Sequence, residues 1–401
     1  MSAEKNILFL TTHNLATNPR LVKEIRLATD NGFRVEVICF SFDNWSKDLN
    51  EQLITSFSEV RFIVIQAGRK PFLPWFKSVA GERCFRFFSR FFRLSELLLA
   101  RAVSRRNILI IEALEKVNRP DWVIGHNPGA LYATAYAAKK FNCRSGFDVE
   151  DYHPGEGHDL SLQRLSLELM KKCLPSLTYL TFASDSIRQA CMDAIPSLKT
   201  KLGRVVNNAF PQAEFRSPDS LTEPVLRLVW FSQHISYGRG LEQLIPVIDS
   251  NHEKLNLTLY GNADSAFQSA FQKYKGVDWK GPMDQKSLHM MLSNFDAGLA
   301  IEPGKDFNNE LALSNKMLAY LQAGLYIVAT DTIEQKRFLS DYPSHGIVIK
   351  KDFSDLEKVL LNLYGDISNV RRLATQRHEN ADAISWDVVS KVTAAIWQNN
   401  S

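Results

Sequence analysis

The sequence predicts an α/β protein made of two Rossmann-like, doubly wound domains. In the first half, short buried runs rich in β-branched residues alternate with segments of helical periodicity. A stretch rich in Pro, Ser, Asn and acidic residues interrupts this alternation at residues 207–224, and the alternation then restarts. At 401 residues the chain also exceeds one ordinary hydrophobic core. We therefore expect two domains whose strand ends face a common cleft.

The first half supplies the elements of an N-terminal Rossmann-like domain over residues 1–207. Its helices are expected to begin at Pro19, near residues 108 and 130, and at Asp185. The predicted strands lie at residues 7–10, 35–40, 60–65, 121–125, 144–148, 179–183 and 204–206.

The second half predicts another Rossmann-like domain over residues 208–382, followed by a helical segment over residues 383–401. Helices are expected between its strands. The predicted strands lie at residues 226–231, 255–260, 277–280, 297–301, 326–329 and 346–349.

Composition indicates a soluble globular protein of a reducing compartment. Hydrophobic residues make up 45% of the chain and charged residues 23%. The five cysteines form no C-x-x-C pair, which argues against a disulfide framework and against a zinc site. The apolar run at residues 7–10 is too short for a signal peptide, and no run of about 18 apolar residues occurs. We expect a cytoplasmic protein.

Residues 70–106 form a basic aromatic segment with a net charge of +7, against +4 for the whole chain. Its arginines recur at helical spacing on one stripe, and its phenylalanines fall on the opposite side. This pattern predicts a helix in an anionic membrane interface, on the inner face of the membrane; the alternative is a domain helix that buries its phenylalanines. Nucleic acid is not expected, because no binding motif occurs. The predicted membrane residues are Trp75, Phe76, Arg83, Arg86, Phe88, Arg90, Phe92 and Arg93.

Residues 313–331 contain a helix start of unusual charge. Ser314 is a good N-cap, and Gly324 ends the helix before a β-branched run. Lys316 lies in the first turn, where the helix dipole is already positive. A lysine there indicates an anion at the same helix end, most simply a phosphate; the alternative is a solvated lysine.

A second cation follows the strand at residues 226–231. Arg239 stands between Gly238 and Gly240, directly before a helix, in a loop that begins Ser232-Gln233. This loop is neither a Walker A motif nor a G-x-G-x-x-G fingerprint, but a glycine-flanked arginine at a helix start suits a phosphate. Two cations at two helix starts of one domain favour a diphosphate, and hence a nucleotide. The loops at residues 261–264 and 281–284 flank the same cleft.

The first half carries polar residues after three of its strands. His13 and Asn14 follow the first strand, and His126 follows the strand at residues 121–125. Residues 148–153 follow the next strand and contain Asp148, Glu150, Asp151 and His153. Because parallel strands end at one edge of a sheet, these residues are expected to meet a substrate there. A zinc site formed by His126, Asp151, His153 and His158 is an alternative, although its spacing matches no established ligand pattern.

With these residues in place, the chain resembles the GT-B glycosyltransferases, specifically glycosyltransferase family 4, over most of its length. The first βαβ unit with Thr17-Asn18-Pro19-Arg20, the pocket histidine His126 and the phosphate loop with Arg239 carry the resemblance. The segment at residues 147–152 is similar to one that usually reads D-x-H-E, and Ser314-Asn315-Lys316 is similar to the donor-site motif. Trp386 and the final helix resemble the helix that crosses back to the first domain of this fold.

The chain departs from the family at the ribose-binding position of the donor motif. Counting back from Gly324 places the usual glutamate at Ala319. Glu302 and Glu310 keep the usual separation of the family's glutamate pair, but Glu310 is expected on a loop surface.

The resemblance implies a retaining glycosyltransferase that uses a nucleoside-diphosphate sugar, with no bound metal and no resident cofactor. Arg239 and Lys316 would stabilise the departing diphosphate, and His126 would contact the transferred sugar. The acceptor, a saccharide or a lipid-linked saccharide of surface polysaccharide biosynthesis, would meet His13, Asn14, Glu150, Asp151 and His153. A non-catalytic GT-B scaffold and a nucleotide-sugar epimerase are the alternatives. The predicted donor-binding residues are Ser232, Gln233, Gly261, Asn262, Pro282, Met283, Glu302, Ser314 and Asn315.

Overall fold

Residues 5–68 and 72–399 are described by a computed structural model of the chain. Lys70, which belongs to the predicted basic aromatic segment, lies outside these residues. The chain divides into two compact units: the first comprises Met1–Val206 with Val392–Ser401, and the second comprises Asn207–Lys391. The predicted α/β class with two doubly wound parallel sheets is confirmed.

The described part of the first unit contains a seven-stranded parallel sheet of order β3-β2-β1-β4-β5-β6-β7. The strands are β1 (Asn6–Thr11), β2 (Arg34–Ser41), β3 (Arg61–Gln66), β4 (Trp122–His126), β5 (Arg144–Val149), β6 (Tyr179–Phe182) and β7 (Leu202–Val205). The helices are α1 (Pro19–Asp30), α2 (Lys47–Thr55), α3 (Phe72–Phe88), α4 (Glu96–Val103), α5 (Asn107–Ala113), α6 (Leu131–Phe141), α7 (Leu160–Cys173) and α8 (Asp185–Ala194).

Both faces of this sheet are buried. Ile7 and Phe9 of β1 pack on the side of α1, whereas Leu8 and Leu10 pack on the side of α5 and α6. The central strands are therefore continuously apolar, as expected for a parallel sheet covered by helices on both faces. Asn18 caps α1 by accepting from the backbone N–H of Leu21, and Pro19 occupies the first helical position.

The second unit contains, among the described residues, a six-stranded parallel sheet of order β10-β9-β8-β11-β12-β13. The strands are β8 (Leu226–Ile235), β9 (Leu255–Ala263), β10 (Val277–Lys280), β11 (Ala297–Ala300), β12 (Tyr326–Thr330) and β13 (Gly346–Ile349). The helices are α9 (Leu241–Ser250), α10 (Ser265–Phe271), α11 (Gln285–Met291), α12 (Phe307–Leu311), α13 (Asn315–Gln322), α14 (Ile333–Asp341), α15 (Leu356–Gly365), α16 (Ile367–Arg372), α17 (Ala374–Asn380) and α18 (Trp386–Val389).

The final helix, α19 (Lys391–Gln398), belongs to the core of the first unit. Trp397 is fully buried; its indole N–H donates to the hydroxyl of Tyr179 at 2.8 Å, and its carbonyl accepts from the indole of Trp122 at 3.1 Å. Trp386, in contrast, lies in the second unit, where its backbone N–H donates to the carbonyl of Phe210. The indole that anchors the final segment in the first unit is therefore that of Trp397.

The segment read as a linker, residues 207–224, is packed on the second unit at its beginning. The backbone N–H of Phe210 donates to the side-chain oxygen of Gln322, whose amide donates back to the Phe210 carbonyl. Phe210 and Phe215 are buried, and both rings pack against the ring of His289. The polar composition of the segment does not predict that Phe210 and Phe215 are buried.

Candidate functional site

The sheet of the second unit reverses its winding direction between β8 and β11. From β8 the chain moves outward to β9 and β10, and it then continues on the other side of β8 with β11, β12 and β13. In open parallel sheets, ligands bind outside the carboxyl ends of the strands at such a switch point. Arg239 follows β8, Glu302 follows β11, and Lys316 lies in the first turn of α13, between β11 and β12. These residues define the candidate site of this unit.

The anion that Lys316 contacts in this structure is the carboxylate of Glu302. The Lys316 Nζ lies 2.5 Å from Glu302 Oε1, and the Lys316 side chain is only 11% exposed. The hydroxyl of Ser314 donates to the same carboxylate oxygen at 3.3 Å and accepts from the backbone N–H of Lys316. Lys316 at this helix start therefore has an anionic partner that is a side chain of the protein, and the predicted phosphate stays a prediction.

Glu302 is held in place through its backbone. Its N–H donates to Thr330 Oγ1 at 2.8 Å, and its carbonyl accepts from the same hydroxyl at 2.8 Å. Gln335, at the start of α14, donates its side-chain amide to the carbonyl of Thr330 at 3.1 Å. Thr330 and Gln335 were not predicted as site residues. The threonine at the end of the apolar run at residues 326–330 is the one sequence feature that indicates this contact, because the hydroxyl of a threonine can hydrogen-bond nearby backbone groups.

Arg239 lies in a glycine loop that packs against the residue preceding Glu302. Gly238 and Gly240 have φ of 74° and 79°, in the left-handed region that favours glycine. A Cβ at Gly240 would lie 2.6 Å from the ring of Phe353 and 3.4 Å from the side chain of Ile301. Arg239 itself is partly exposed and makes no hydrogen bond or ion pair with any described residue. Its charge is thus available to a ligand at the switch point.

Two predicted loops of the donor site are strand instead. β8 continues through Ser232 and Gln233 to Ile235, and β9 continues through Gly261 and Asn262 to Ala263, so that these extensions pair with each other after a register shift. A Cβ at Gly261 would lie 2.0 Å from the carbonyl oxygen of Ser232, which explains the glycine at this close approach.

The remaining predicted donor residues lie at different distances from the switch point. Asn315 is exposed at the start of α13, where its side-chain oxygen accepts from Asn208 at 3.2 Å. Pro282 and Met283 lie between β10 and α11, at the edge strand of the sheet. Two strands, β9 and β8, separate β10 from the switch point.

Neither Ala319, which departs from the family pattern, nor Glu310, which keeps the usual spacing, offers a free carboxylate. Ala319 is fully buried among apolar side chains on α13. Glu310 was expected on a loop surface, but it lies in α12, and both its carboxylate oxygens accept from Lys351 Nζ at 2.7 Å. Its side chain is only 16% exposed. Lys351 neutralises this carboxylate, and neither residue is left for a ribose.

The first unit has its own switch point, between β1 and β4. His13 and Asn14 follow β1, and His126 is the last residue of β4. The next residue, Asn127, has φ 68° and ψ 149°, a conformation that costs a non-glycine residue about 1–3 kcal/mol. Its side-chain oxygen accepts from Thr11 Oγ1 at 2.6 Å, which holds the turn in place. Strain of this kind concentrates at functional sites. No residue type or spacing in the sequence indicates it.

His126 is enclosed in a buried polar network. Its Nε2 lies 3.2 Å from Glu24 Oε2 and its Nδ1 lies 3.6 Å from Asp148 Oδ2, and all three side chains are at most 2% exposed. Burial acts to lower the pKa of His126, but the carboxylates of Glu24 and Asp148 outweigh it, so the pKa is raised. His126 therefore contacts these carboxylates and no open surface, in contrast to the predicted contact with a sugar.

Arg20 completes the network with a bidentate pair. Its Nε and Nη2 donate to the two carboxylate oxygens of Asp148 at 2.5 and 2.7 Å, and its Nη1 donates to the carbonyl of Val206 at 2.6 Å. Thr181 Oγ1 also donates to Asp148. Asp148 is consequently held ionised: burial acts to raise its pKa, but Arg20 and His126 lower it. Neither Arg20 nor Glu24 was predicted as a site residue.

The predicted acceptor-side residues divide into buried and accessible groups. Asn14 is fully buried, where it accepts from the backbone N–H of Thr17 and donates to Ser46, so it shapes the loop. His13 is partly exposed, and burial together with the charges of Arg106 and His153 lowers its pKa to about 4. His153 is buried, with its Nδ1 2.9 Å from Glu156 Oε2. Glu150 and Asp151 are partly exposed beside them.

Glu150 gives a pH-dependent prediction. Burial, and then the charge of Asp148, raise the pKa of Glu150 from 4.5 to about 7. Between these values the folded protein holds a proton that the unfolded chain has released, so the free energy of unfolding falls as pH rises. Glu150→Gln should therefore be more stable than wild type by about 1–3 kcal/mol above pH ~8, and equal to it below pH ~4. Urea unfolding at both pH values measures this, and an equal effect at both would contradict it.

The basic aromatic segment presents a cluster of exposed rings. Phe72, Phe76, Phe87, Phe88, Phe91 and Phe92, hereafter the aromatic patch, are 43–67% exposed. Their rings form two contacting groups, one at each end of α3. Phe72 contacts Phe76 at the first end, and Phe87, Phe88, Phe91 and Phe92 contact one another at the second, with centroids 5.4 Å apart for Phe87 and Phe91. The alternative of a helix that buries its phenylalanines is therefore wrong for these six residues. Scattered exposed apolar residues are ordinary, but a group of contacting aromatic rings, such as that of Phe87, Phe88, Phe91 and Phe92, indicates an interaction surface.

The predicted arginine stripe requires correction. α3 ends at Phe88, so Arg90 and Arg93 lie beyond it, exposed beside the patch, with Arg83 exposed on the helix. Arg86 points inward, where it donates to the carbonyl of Ala102 at 2.7 Å and pairs with Glu82 at 3.0 Å. Trp75 is also half-buried, with the guanidinium of Arg105 5.9 Å from its ring centroid. Arg86 therefore stabilises the contact with α4, Trp75 contacts the loop that follows α4, and neither side chain belongs to the exposed surface.

None of the helices in residues 5–68 and 72–399 combines the length and apolarity needed to cross a membrane. Within the same residues, no group of three or more His, Cys, Asp or Glu side chains is arranged to hold a metal ion.

Two doubly wound parallel sheets, with polar residues at both switch points, define a chain of the GT-B fold. The chain matches HepE of Anabaena, solved in complex with UDP, with a TM-score of 0.64 and 15% identity over 98% of this chain and 99% of HepE. It also matches sucrose-phosphate synthase from Thermosynechococcus elongatus, with a TM-score of 0.69 and 12% identity over 98% of each chain. TarM matches with a TM-score of 0.67 and 11% identity over 99% of each chain. No protein-family model and no curated protein sequence matches the chain.

Proposed function

We propose that this protein is a glycosyltransferase that moves a sugar from a nucleoside-diphosphate sugar to a saccharide or lipid-linked acceptor. The observation that carries the proposal is the placement of Arg239 and Lys316 after neighbouring strands at the switch point of the second unit. Arg239 has no partner among the described residues. Support comes from the solved structures of the same fold, since HepE was solved with UDP and with UDP-glucose.

In this proposal the two cations stabilise the charge that develops on the departing diphosphate. Groups fixed where transition-state charge develops make the largest contribution to catalysis in most enzymes. Lys316 is preorganised by Ser314 and α13, and the incoming diphosphate replaces Glu302 as its anionic partner. Transfer proceeds with retention, without a protein nucleophile, resident cofactor or bound metal, and the nucleotide sugar is a co-substrate.

The acceptor binds through the first unit, where His13, Glu150 and Asp151 retain exposed surface. His126 is a positioning residue in this scheme, because its ring contacts Glu24 and Asp148 and has no open face. It holds the end of β4, and with it the strained turn at Asn127. The protein acts in the cytoplasm on a precursor of a surface polysaccharide or glycoconjugate.

The test is a panel of nucleotides and nucleotide sugars. Calorimetric titration with UDP, GDP and ADP, followed by product analysis with the corresponding sugars, should identify one base that binds and one sugar that is transferred. Failure of all three nucleotides to bind would overturn the proposal and favour a non-catalytic scaffold. That alternative has one observation in its favour: Ala319 is buried in the core, and Lys351 neutralises Glu310, so neither position offers a ribose carboxylate. A changed sugar with donor alone would indicate an epimerase.

We propose further that the aromatic patch binds an anionic membrane surface. The patch combines large exposed rings with the exposed arginines Arg83, Arg90 and Arg93. Aromatic side chains insert at the boundary between headgroups and acyl chains, and arginines near the surface are attracted to anionic lipids. Such binding suits an enzyme whose acceptor is lipid-linked.

Replacing Phe91 and Phe92 by serine should weaken binding to anionic vesicles by about thirtyfold or more. These side chains are 67% and 66% exposed, and loss of their transfer into the interface costs about 2 kcal/mol. Flotation with vesicles of phosphatidylglycerol and phosphatidylcholine measures the effect. The matched control is Phe307→Ser with Ile333→Ser, which removes two similarly exposed apolar side chains from the second unit. Equal flotation of both variants, or none by wild type, would contradict membrane binding through the patch.

A further inference from the structure

The loop between α4 and α5 places a guanidinium at the switch point of the first unit. Arg106 Nη1 donates to the carbonyl of Thr12 at 2.9 Å, directly after β1. The guanidinium also lies over the ring of Phe42, with 4.4 Å between its carbon and the ring centroid. One hydrogen bond and one aromatic ring thus fix its position and its plane, and its other N–H groups are not used in these contacts.

This guanidinium is partly buried without a carboxylate partner. Within residues 5–68 and 72–399, no Asp or Glu side chain forms an ion pair with Arg106. The nearby carboxylate of Glu82 is already occupied, because it pairs with Arg86 at 3.0 Å and accepts from the backbone N–H of Arg105 at 2.9 Å. Burying a charge is costly unless it is paired, so an arginine held in this way is complementary to an anion that the protein does not supply.

The residues around Arg106 also favour binding of an anion. His13 is the neighbouring side chain on the loop after β1, and its pKa of about 4 leaves its ring neutral near pH 7. A neutral imidazole can donate one hydrogen bond to a ligand without competing for the anion as a cation would. Arg105, the preceding residue, adds a second positive charge beside Arg106. Burial and then the charge of Arg105 lower the pKa of Arg106, and the charge of Glu82 opposes them.

We propose that Arg106 binds an oxyanion, a phosphate or a carboxylate, carried by the acceptor. The inference rests on the proposed function in one respect, namely that the ligand of the first unit is the acceptor. Arg106 is thereby a specificity-determining residue: acceptors with a charged group close to the reacting hydroxyl are bound, and their neutral analogues are rejected. Bidentate recognition of planar or tetrahedral oxyanions is the chemistry that arginine performs better than lysine.

The test removes the cations of the second unit first, so that only the first unit is probed. In the full-length variant Lys316→Ala with Arg239→Ala, calorimetric titrations at constant ionic strength use inorganic phosphate, glucuronate and soluble dihexanoyl phosphatidic acid. Addition of Arg106→Gln should weaken binding of at least one probe by about tenfold or more. The matched control, Arg34→Gln, removes an exposed arginine at the amino end of β2 in the same unit and should leave binding unchanged.

The three probes show which kind of molecule carries the anion, and the Arg106 variants show whether the site exists. Preference for phosphatidic acid indicates a lipid phosphate, preference for inorganic phosphate a soluble sugar phosphate, and preference for glucuronate an acidic sugar. Arg106→Lys keeps the charge without the planar fork and should give an intermediate affinity, which guards against a folding defect in Arg106→Gln. Equal binding by Arg106→Gln and its parent would overturn the proposal. Because no nucleotide is used, failure here is distinct from failure of the nucleotide panel.

Discussion

Replacing Lys316 by alanine is expected to lower the rate of sugar transfer by about a hundredfold to a thousandfold. Lys316 is held at the start of α13 by its contacts with Glu302 and Ser314, so its charge is fixed before the substrate arrives. Removal of one preorganised group that stabilises transition-state charge typically costs this factor in kcat. Initial rates with a saturating nucleotide sugar measure the effect, and Arg239→Ala should cause a loss of similar size.

Lys351→Ala is the matched control for this prediction. Lys351 also forms a lysine–glutamate contact in the second unit, with Glu310 at 2.7 Å, but it lies after β13 and is 42% exposed. Its removal should leave the transfer rate close to that of wild type. Thermal unfolding of all three variants shows whether the fold is intact. Full activity in the double variant Lys316→Ala/Arg239→Ala, or an equal loss in Lys351→Ala, would show that the switch point of the second unit does not hold the diphosphate.

The sequence predicted the positions of the strands along the chain well, because each buried strand is a short apolar run between polar turns. It failed where a strand continues through polar residues. The tetrapeptide Ser232 to Ile235 has the composition of a loop, and its pairing with Asn262 and Ala263 depends on the neighbouring strand. Pairing between distant segments is tertiary information that local composition does not contain.

The candidate site was predicted unevenly for a related reason. Lys316 was found because a cation near a helix N-terminus interacts unfavourably with the positive end of the helix dipole. This local electrostatic conflict is visible in the sequence. Its partner Glu302 was recognised only by analogy, since fourteen positions separate the two residues. Arg20 and Glu24 were missed because charged residues on a helix are ordinarily solvated, and their spacing of one helical turn also suits a surface pair.

The aromatic segment illustrates the opposite error, in which a periodicity was extended too far. The spacing of Arg83, Arg86, Arg90 and Arg93 fits one helical stripe. The helix ends at Phe88, however, and Arg86 reaches the carbonyl of Ala102 on α4. Packing against a neighbouring helix decides which residues of an amphipathic segment remain exposed. The helical periodicity of one segment does not show where that neighbouring helix lies.

Replacing Arg20 by methionine is expected to destabilise the first unit by about 3–5 kcal/mol. The change leaves the carboxylate of Asp148 buried with the hydroxyl of Thr181 and the ring of His126 as its remaining partners. Breaking one half of a buried ion pair costs this much because the other charge stays desolvated. Asp148→Asn should destabilise the first unit by a similar amount, because the guanidinium of Arg20 would then stay buried without its carboxylate partner.

The double variant Arg20→Met/Asp148→Asn separates this effect from a loss of packing. If the cost arises from an unpaired buried charge, the double variant should be less destabilised than the sum of the two single variants. Urea unfolding followed by circular dichroism gives the three free energies. The surface pair of Lys47 and Asp43, at 3.3 Å and largely exposed, supplies the control cycle, in which each change should cost about 0–1 kcal/mol. Strict additivity at Arg20 and Asp148 would show that the network at the first switch point is not electrostatically coupled, and His126 would then lose its assigned role as a residue held by paired charges.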